Sequence, residues 1–215
     1  YQSFAKEIEP NDYFYSEQWA LKKVNAPEAW EIERGSDDIV IAVVDTGVDY
    51  KHEDLASRIW QNVNEIPNNG VDDDENGYID DIRGWDFYDS HSIPSDGDYI
   101  DRDNDPMDEK GHGTVVAGII GAVPDNSIGI SGVVWDCRIM PLRAGNKYFE
   151  DDDLCSAIVY AADNGANIIN MSWGGDEFSY VIRDATKYAY DRGCVLVAAA
   201  GNDNQQKLIY PAIFE

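Results

Sequence analysis

Ile39-Val40-Ile41-Ala42-Val43-Val44-Asp45-Thr46-Gly47 decides the architecture of this chain. The run from Ile39 to Val44 is apolar, mostly β-branched and without alternation. That is the pattern of a strand buried on both faces, as in parallel sheets. It stops at an acid followed by a small turn residue. Downstream, Gly113 to Val123 is rich in Ala, Gly, Val and Ile and predicts a closely packed buried helix. Arg138–Leu142, Asn167–Ser172 and Val195–Gly201 read as strands, with helices over Leu154–Asn164 and Tyr180–Arg192 between them. Strands alternating with helices predict βαβ units, hence a doubly wound, mainly parallel α/β sheet with helices on both faces. Before the first strand lie an N-terminal arm (1–25) and a short helix, Ala26–Trp30, with Pro in its first turn. Residues 61–110 are polar and mostly loop, interrupted by Gly84-Trp85-Asp86-Phe87. In such sheets sites form at the carboxyl ends of strands. Asp45, Ser172 and Asn202 all fall there, and His112 opens a helix.

The 215 residues hold 42 acids against 16 Lys and Arg, a net charge of -26. Phosphate repels such a surface, which sets nucleic acid aside as a partner. A hydrophobic content of 43% and six Trp argue for a folded core. No apolar run approaches the ~18 residues of a membrane span. Tyr1 opens the chain without a charged-then-apolar leader, as expected of a processed, secreted protein. Cys137, Cys155 and Cys194 are odd in number and widely spaced, so buried free thiols are expected rather than a disulfide framework or a zinc site. A nucleotide-binding α/β domain is disfavoured, because no GxGxxG follows the first strand.

Asp45-Thr46-Gly47, His112-Gly113-Thr114, Asn170-Met171-Ser172-Trp173-Gly174-Gly175 and Ala199-Ala200-Gly201-Asn202, in this order, resemble the subtilisin-like serine peptidases. The resemblance implies roles. His112 is the general base, Asp45 orients it, and Asn202 donates its amide to the oxyanion. Ser172, Trp173, Gly174 and Gly175 form one wall of the substrate pocket, Ala200 and Gly201 another. An extended polypeptide pairs along the first wall and against the segment around Tyr148–Asp151. The acid run Glu150–Asp153 beside it favours basic side chains. Where the family has a second His after His-Gly-Thr, this chain has Val115. The family's Gly-Thr-Ser-x-Ala element is not found after Tyr210-Pro211-Ala212. The 215 residues therefore read as the N-terminal two-thirds of one catalytic domain, expecting a complementing C-terminal fragment that carries the serine, and possible pairing with a propeptide. The alternative is a catalytically inactive, calcium-binding member that binds peptides or a partner chain.

Two calcium sites are expected. In Asp72-Asp73-Asp74-Glu75-Asn76-Gly77-Tyr78-Ile79-Asp80 the spacing of oxygen ligands fits the start of a calcium loop. Asp72, Asp74 and Asn76 supply side chains, Gly77 the turn, Tyr78 a carbonyl and Asp80 an acid. Arg83 stands where an EF-hand has its bidentate Glu, and Asp81 offers an extra carboxylate. The second site follows from the resemblance: Glu9-Pro10-Asn11-Asp12-Tyr13-Phe14 looks like the thermitase branch of the family. That likeness implies a calcium ion held by Asp12, Asp54 and Asn126 with the carbonyls of Pro124, Ile128 and Ile130, clipping the arm to the body. Asp96 to Asp108, a third concentration of acids with irregular spacing, is a further candidate calcium site.

Overall fold

The computed structural model describes residues 8–89 and 101–214. Five parallel strands form one sheet in the order β2-β3-β1-β4-β5. They are β1 (Gly35–Asp45), β2 (Trp85–Asp86), β3 (Asp136–Arg143), β4 (Ile168–Met171) and β5 (Val195–Ala198). The helices are α1 (Trp19–Lys23), α2 (Ala26–Trp30), α3 (His112–Gly121), α4 (Asp151–Asp163) and α5 (Tyr180–Asp191). The predicted α/β sheet is thus observed, with the Ile39–Val44 run at its centre.

β1 shows why that run lacks alternation. Ala42 and Val44 face a core built from Met140, Leu142, Ile169 and Met171 together with Leu154, Ala157 and Ile158 of α4 and Ile182, Ala185 and Ala189 of α5. Ile41 and Val43 face the opposite core, with Cys137, Ile139, Leu55 and Ala117 of α3. Successive strand residues point to opposite faces, so a strand covered on both sides needs apolar residues at every position. A third cluster joins Tyr15, Leu21, Ala26 and Trp30 of the N-terminal segment to Trp135. All three cysteines are free; Cys137 and Cys194 are buried and Cys155 is half-buried.

Element ends differ from expectation, among them the earlier starts of β1 at Gly35 and of α4 at Asp151. α3 begins at His112 and stops at Gly121, where Ala122 turns extended (φ -55, ψ 144) ahead of Pro124. β5 ends at Ala198 rather than Gly201. One more amide, Ala199 N, still bonds to Met171 O, and Gly201 then takes φ +90 and turns the chain away. β5 lies at the end of the sheet order, and Val195 and Val197 on it are 57% and 49% exposed.

Candidate active site and cation sites

Asp45 ends β1, the central strand, and His112 is the first residue of α3. The sheet and the helix bring them together: Nδ1 of His112 lies 2.7 Å from Oδ1 of Asp45. The aspartate is fully buried while the histidine side chain is 57% exposed. Asp45 Oδ1 also accepts the Thr46 amide at 2.8 Å. Burial pushes the Asp45 carboxyl above its usual range, and the hydrogen bonds from His112 and Thr46 pull against it. One ring nitrogen is therefore held by a buried acid, and the exposed ring is open to exchange a proton with a group that approaches from solvent.

Close approach of α3 to β1 depends on Gly113. A Cβ there would sit 2.1 Å from Gly47 O and 3.1 Å from Asp45 Cβ. Gly113→Ala is expected to push the first turn of α3 off β1 and to destabilise by about 1–3 kcal/mol, the usual range for overpacking. At 2–4 °C per kcal/mol for a chain of this size, the melting temperature should fall by roughly 2–12 °C. A melting curve identical to that of the unsubstituted protein would contradict this.

The expected pocket residues fall into two neighbouring hollows. Trp173, Gly174 and Gly175 line a groove of about 380 Å³ opposite Tyr148 and Phe149. Trp173 is fixed by a 3.0 Å bond from Nε1 to Val44 O and stacks on Phe149 at 6.3 Å. Gly175 exchanges two backbone hydrogen bonds with Tyr210, 3.0 and 2.8 Å. Ala200 and Gly201 line a separate hollow of about 270 Å³. Ser172 Oγ accepts a bond from Asn170 Nδ2 at 2.9 Å, so it is held by its own strand. Asn202 is exposed just beyond β5, and its side chain makes no hydrogen bond among the described residues. The acid run is only partly available: Arg102 engages Asp152 at 3.4 Å and the buried Asp153 at 2.7 Å, leaving Asp151 on the groove.

Of the expected calcium ligands, Asp12, Asp54 and Asn126 do converge. Asn126 Nδ2 donates to Asp54 Oδ1 at 2.7 Å, and Asp12 accepts the amides of Asp125 and Asn126 at 2.9 and 3.3 Å. Both acids are buried, and neither has an ion-pair partner among the described residues. A Cβ on Gly129 would lie 2.3 Å from Asp54 Oδ2, so only glycine leaves that oxygen room. Two buried, uncompensated carboxylates with an amide oxygen suit a hard dication. Pro124, Ile128 and Ile130 belong to the same loop, and the Ile130 amide donates to Asp54 Oδ2.

The loop at 72–81 differs from its expected ligand set. Glu65, Asp74 and Asp81 bring carboxylate oxygens within 4.8 Å of one another. Asp80 is not among them. It takes a left-handed conformation (φ 54) and spends both oxygens on the amides of Asn69 and Gly70. Asp72 caps the turn, accepting the amides of Asn76 and Gly77. Asn76 bridges Asp81 through Nδ2 and holds the Tyr78 amide through Oδ1. Tyr78 packs edge-on against Tyr160 at 4.9 Å, and Tyr160 donates to Asp81. Glu65 precedes the motif and is brought to it by the fold, and it accepts the amides of Asp73, Asp74 and Asp80. Of the third acid concentration, Asp96 and Asp98 lie outside the described residues, while Asp101, Asp103, Asp105 and Asp108 are described.

A family model described as the subtilase family, peptidase S8, matches residues 36–214. The chain belongs to the subtilase family. Thermitase of Thermoactinomyces vulgaris is 36% identical over 208 residues, covering 95% of this chain and 62% of that protein. A halolysin-like extracellular serine protease, Nep, of Natrialba magadii is 36% identical over 214 residues, covering 96% and 34%. Among solved structures, a protease from Pseudoalteromonas arctica superposes with a TM-score of 0.69 at 30% identity, covering 92% of this chain and 60% of that one. The sequence resemblance and the subtilisin-like fold are thereby both established. This subtilase chain spans less than two thirds of either relative's length.

Proposed function

We propose that the protein is a secreted, calcium-stabilised serine endopeptidase in which Asp45 and His112 activate a serine supplied by sequence outside these 215 residues. The 2.7 Å contact between a fully buried Asp45 and an exposed His112 carries this reading, because it is the base-and-orienter half of a nucleophilic triad. The serine hydroxyl attacks the peptide carbonyl and its proton passes to the free ring nitrogen of His112. Asp45 holds the tautomer and stabilises the imidazolium. His112 then returns the proton to the leaving amine, and water repeats the cycle to release the acyl group. Asn202, with no competing hydrogen bond, donates to the developing oxyanion. An extended substrate adds as a strand against Ser172–Gly174 and the segment around Tyr148–Asp151.

Exposed apolar surface supports the reading that further sequence packs against this chain. Beside β5 lies an open hollow of about 1080 Å³, lined by Met171, Leu196 and Ala198 among others. On α3, Val115 and Ile119 are 61% and 53% exposed. The exposed edge strand β5 and the exposed apolar residues of α3, the helix that His112 opens, suit the remainder of a subtilase domain. Calcium, when bound, supplies charge compensation: Asp12, Asp54 and Asn126 hold one ion, and Glu65, Asp74 and Asp81 a second. Export is supported by the extracellular relative.

A fluorophosphonate probe tests the enzyme reading, since it labels only an activated serine. Labelling of the full-length protein, or of a companion fragment that carries the serine, is the expected result. Protein that stays unlabelled while retaining calcium-dependent folding and peptide binding is instead the inactive, peptide-binding member.

A further inference from the structure

Asp108 belongs to neither the catalytic pair nor a cation site, yet it is bonded to both segments that carry the pair. Its Oδ1 accepts Thr46 Oγ1 at 3.0 Å, Lys110 N at 2.8 Å and Gly111 N at 2.7 Å. Its Oδ2 accepts Thr114 N at 2.8 Å and Thr114 Oγ1 at 2.6 Å. Both hydroxyls are links in chains. Thr46 Oγ1, which gives its proton to Asp108, accepts the Gly113 amide at 3.0 Å. Thr114 Oγ1 likewise accepts the Asp49 amide at 2.9 Å. Thr46 follows Asp45, Gly113 follows His112, and Asp49 closes the loop after β1. One carboxylate therefore ties the end of β1 to the start of α3 on either side of the Asp45–His112 bond.

The anchoring is specific to an anion. Gly111, the residue before α3, offers no side chain to cap the helix, and its φ is +93. Asp108 does that work instead, binding amides at the positive end of the helix. Burial raises the Asp108 carboxyl, but the bonds from Thr114, Gly111 and Lys110 outweigh it and leave it below the ordinary carboxylate range. A neutral group of the same shape keeps one acceptor oxygen and faces the other donors with N–H. The neighbouring Glu109 is itself tied to the buried Arg143 at 3.1 Å, so the loop before His112 is held on two sides.

We propose that Asp108 is a positioning residue for the Asp45–His112 pair: its carboxylate fixes the pair's separation and the orientation of the imidazole by clamping Thr46 to Thr114. It acts through other groups and does not touch substrate. The kinetic consequence rests on the peptidase reading, and the structural one on the hydrogen bonds of Asp108 alone.

The test uses the full-length protein, including its serine-bearing part, and two measurements. Asp108→Ala should lower kcat by about 100-fold, the scale expected when a catalytic group is misplaced by about 1 Å, with KM within twofold. Asp108→Asn should fall between, at about tenfold. Thr46→Val, which removes one link and keeps the carboxylate, should also lower kcat at unchanged KM. Independently of turnover, the downfield proton NMR signal of His112 Nδ1–H should be sharp in the parent and broadened or lost in Asp108→Asn. Assays are run well below each variant's melting temperature. An unchanged kcat in both Asp108 variants, or an unchanged His112 signal, overturns the proposal. If the parent hydrolyses nothing yet the signal is lost in Asp108→Asn, the positioning role stands and the peptidase reading falls.

Discussion

His112→Ala should abolish peptide hydrolysis while leaving the fold intact. The side chain is 57% exposed and its one recorded bond is to Asp45, so its removal opens no apolar cavity. Its loss does take a hydrogen bond from the buried Asp45, worth about 1–3 kcal/mol, so the melting temperature should fall by roughly 2–12 °C with the fold retained. The kinetic loss is of another order. Without the ring nothing accepts the nucleophile's proton, and Asp45, fully buried behind it, cannot reach the cleft. In subtilisin, a member of the same family, loss of the histidine costs about a millionfold in kcat. A loss of that order is expected here, with KM nearly unchanged because the proposed substrate wall, Ser172–Gly174, does not include His112. Active-site-titrated enzyme and a chromogenic peptide make the measurement. A variant that keeps more than one part in a hundred of the parent kcat would show that His112 is not the base.

That the pair could be found from sequence follows from how β1 and α3 are built. A strand buried on both faces declares itself by a run without alternation, and Ile41 and Val43 on one face and Ala42 and Val44 on the other explain every residue of it. Its end is equally plain, because Asp45 is the first charged residue after the run. Gly113 next to His112 signals close packing, and the structure gives the reason in the carbonyl of Gly47. What stayed hidden is long-range. Asp108 in the sequence is one more acid in an acidic stretch. Its role comes from receiving bonds from Thr46, 62 residues away, and from Thr114. Glu65 lies outside the calcium-like motif and joins it only because the loop folds back on Asp74 and Asp81. Asp80 fits the motif's spacing and yet points elsewhere, since spacing fixes which residues are near and not which torsion each adopts. The substrate edge shows the same limit: Glu150–Asp153 reads as one acidic patch, but Arg102 takes up Asp152 and Asp153.

Removing calcium should lower the melting temperature by tens of degrees at most and by no less than several. A ligand present at a thousandfold excess over its dissociation constant stabilises the folded state by about 4 kcal/mol. For a chain of this size that is roughly 8–16 °C per site. The direction is set by charge. A protein of net charge -26 folds against its own repulsion, and buried Asp12, Asp54, Glu65 and Asp81 must lose hydration without a cationic side chain in exchange. The two sites are separable. Asp54→Asn should remove the part of the calcium response that belongs to the Asp12–Asp54–Asn126 site, and it should also loosen the N-terminal segment. The Phe14 amide is bonded to Gly129 O at 2.8 Å, so the arm depends on that loop, and limited proteolysis should cut it early in this variant. Glu65→Gln should remove the other part and leave the arm protected, because Glu65 organises the 73–80 turn through three amides instead. Each variant should keep one calcium-dependent increment and the double variant neither. Additivity is expected because the two sites share no ligands. Melting curves of parent and variants with excess calcium and with chelator settle the matter. Coincident curves for the parent would sink both assignments, and a full response surviving in Glu65→Gln would sink the second alone.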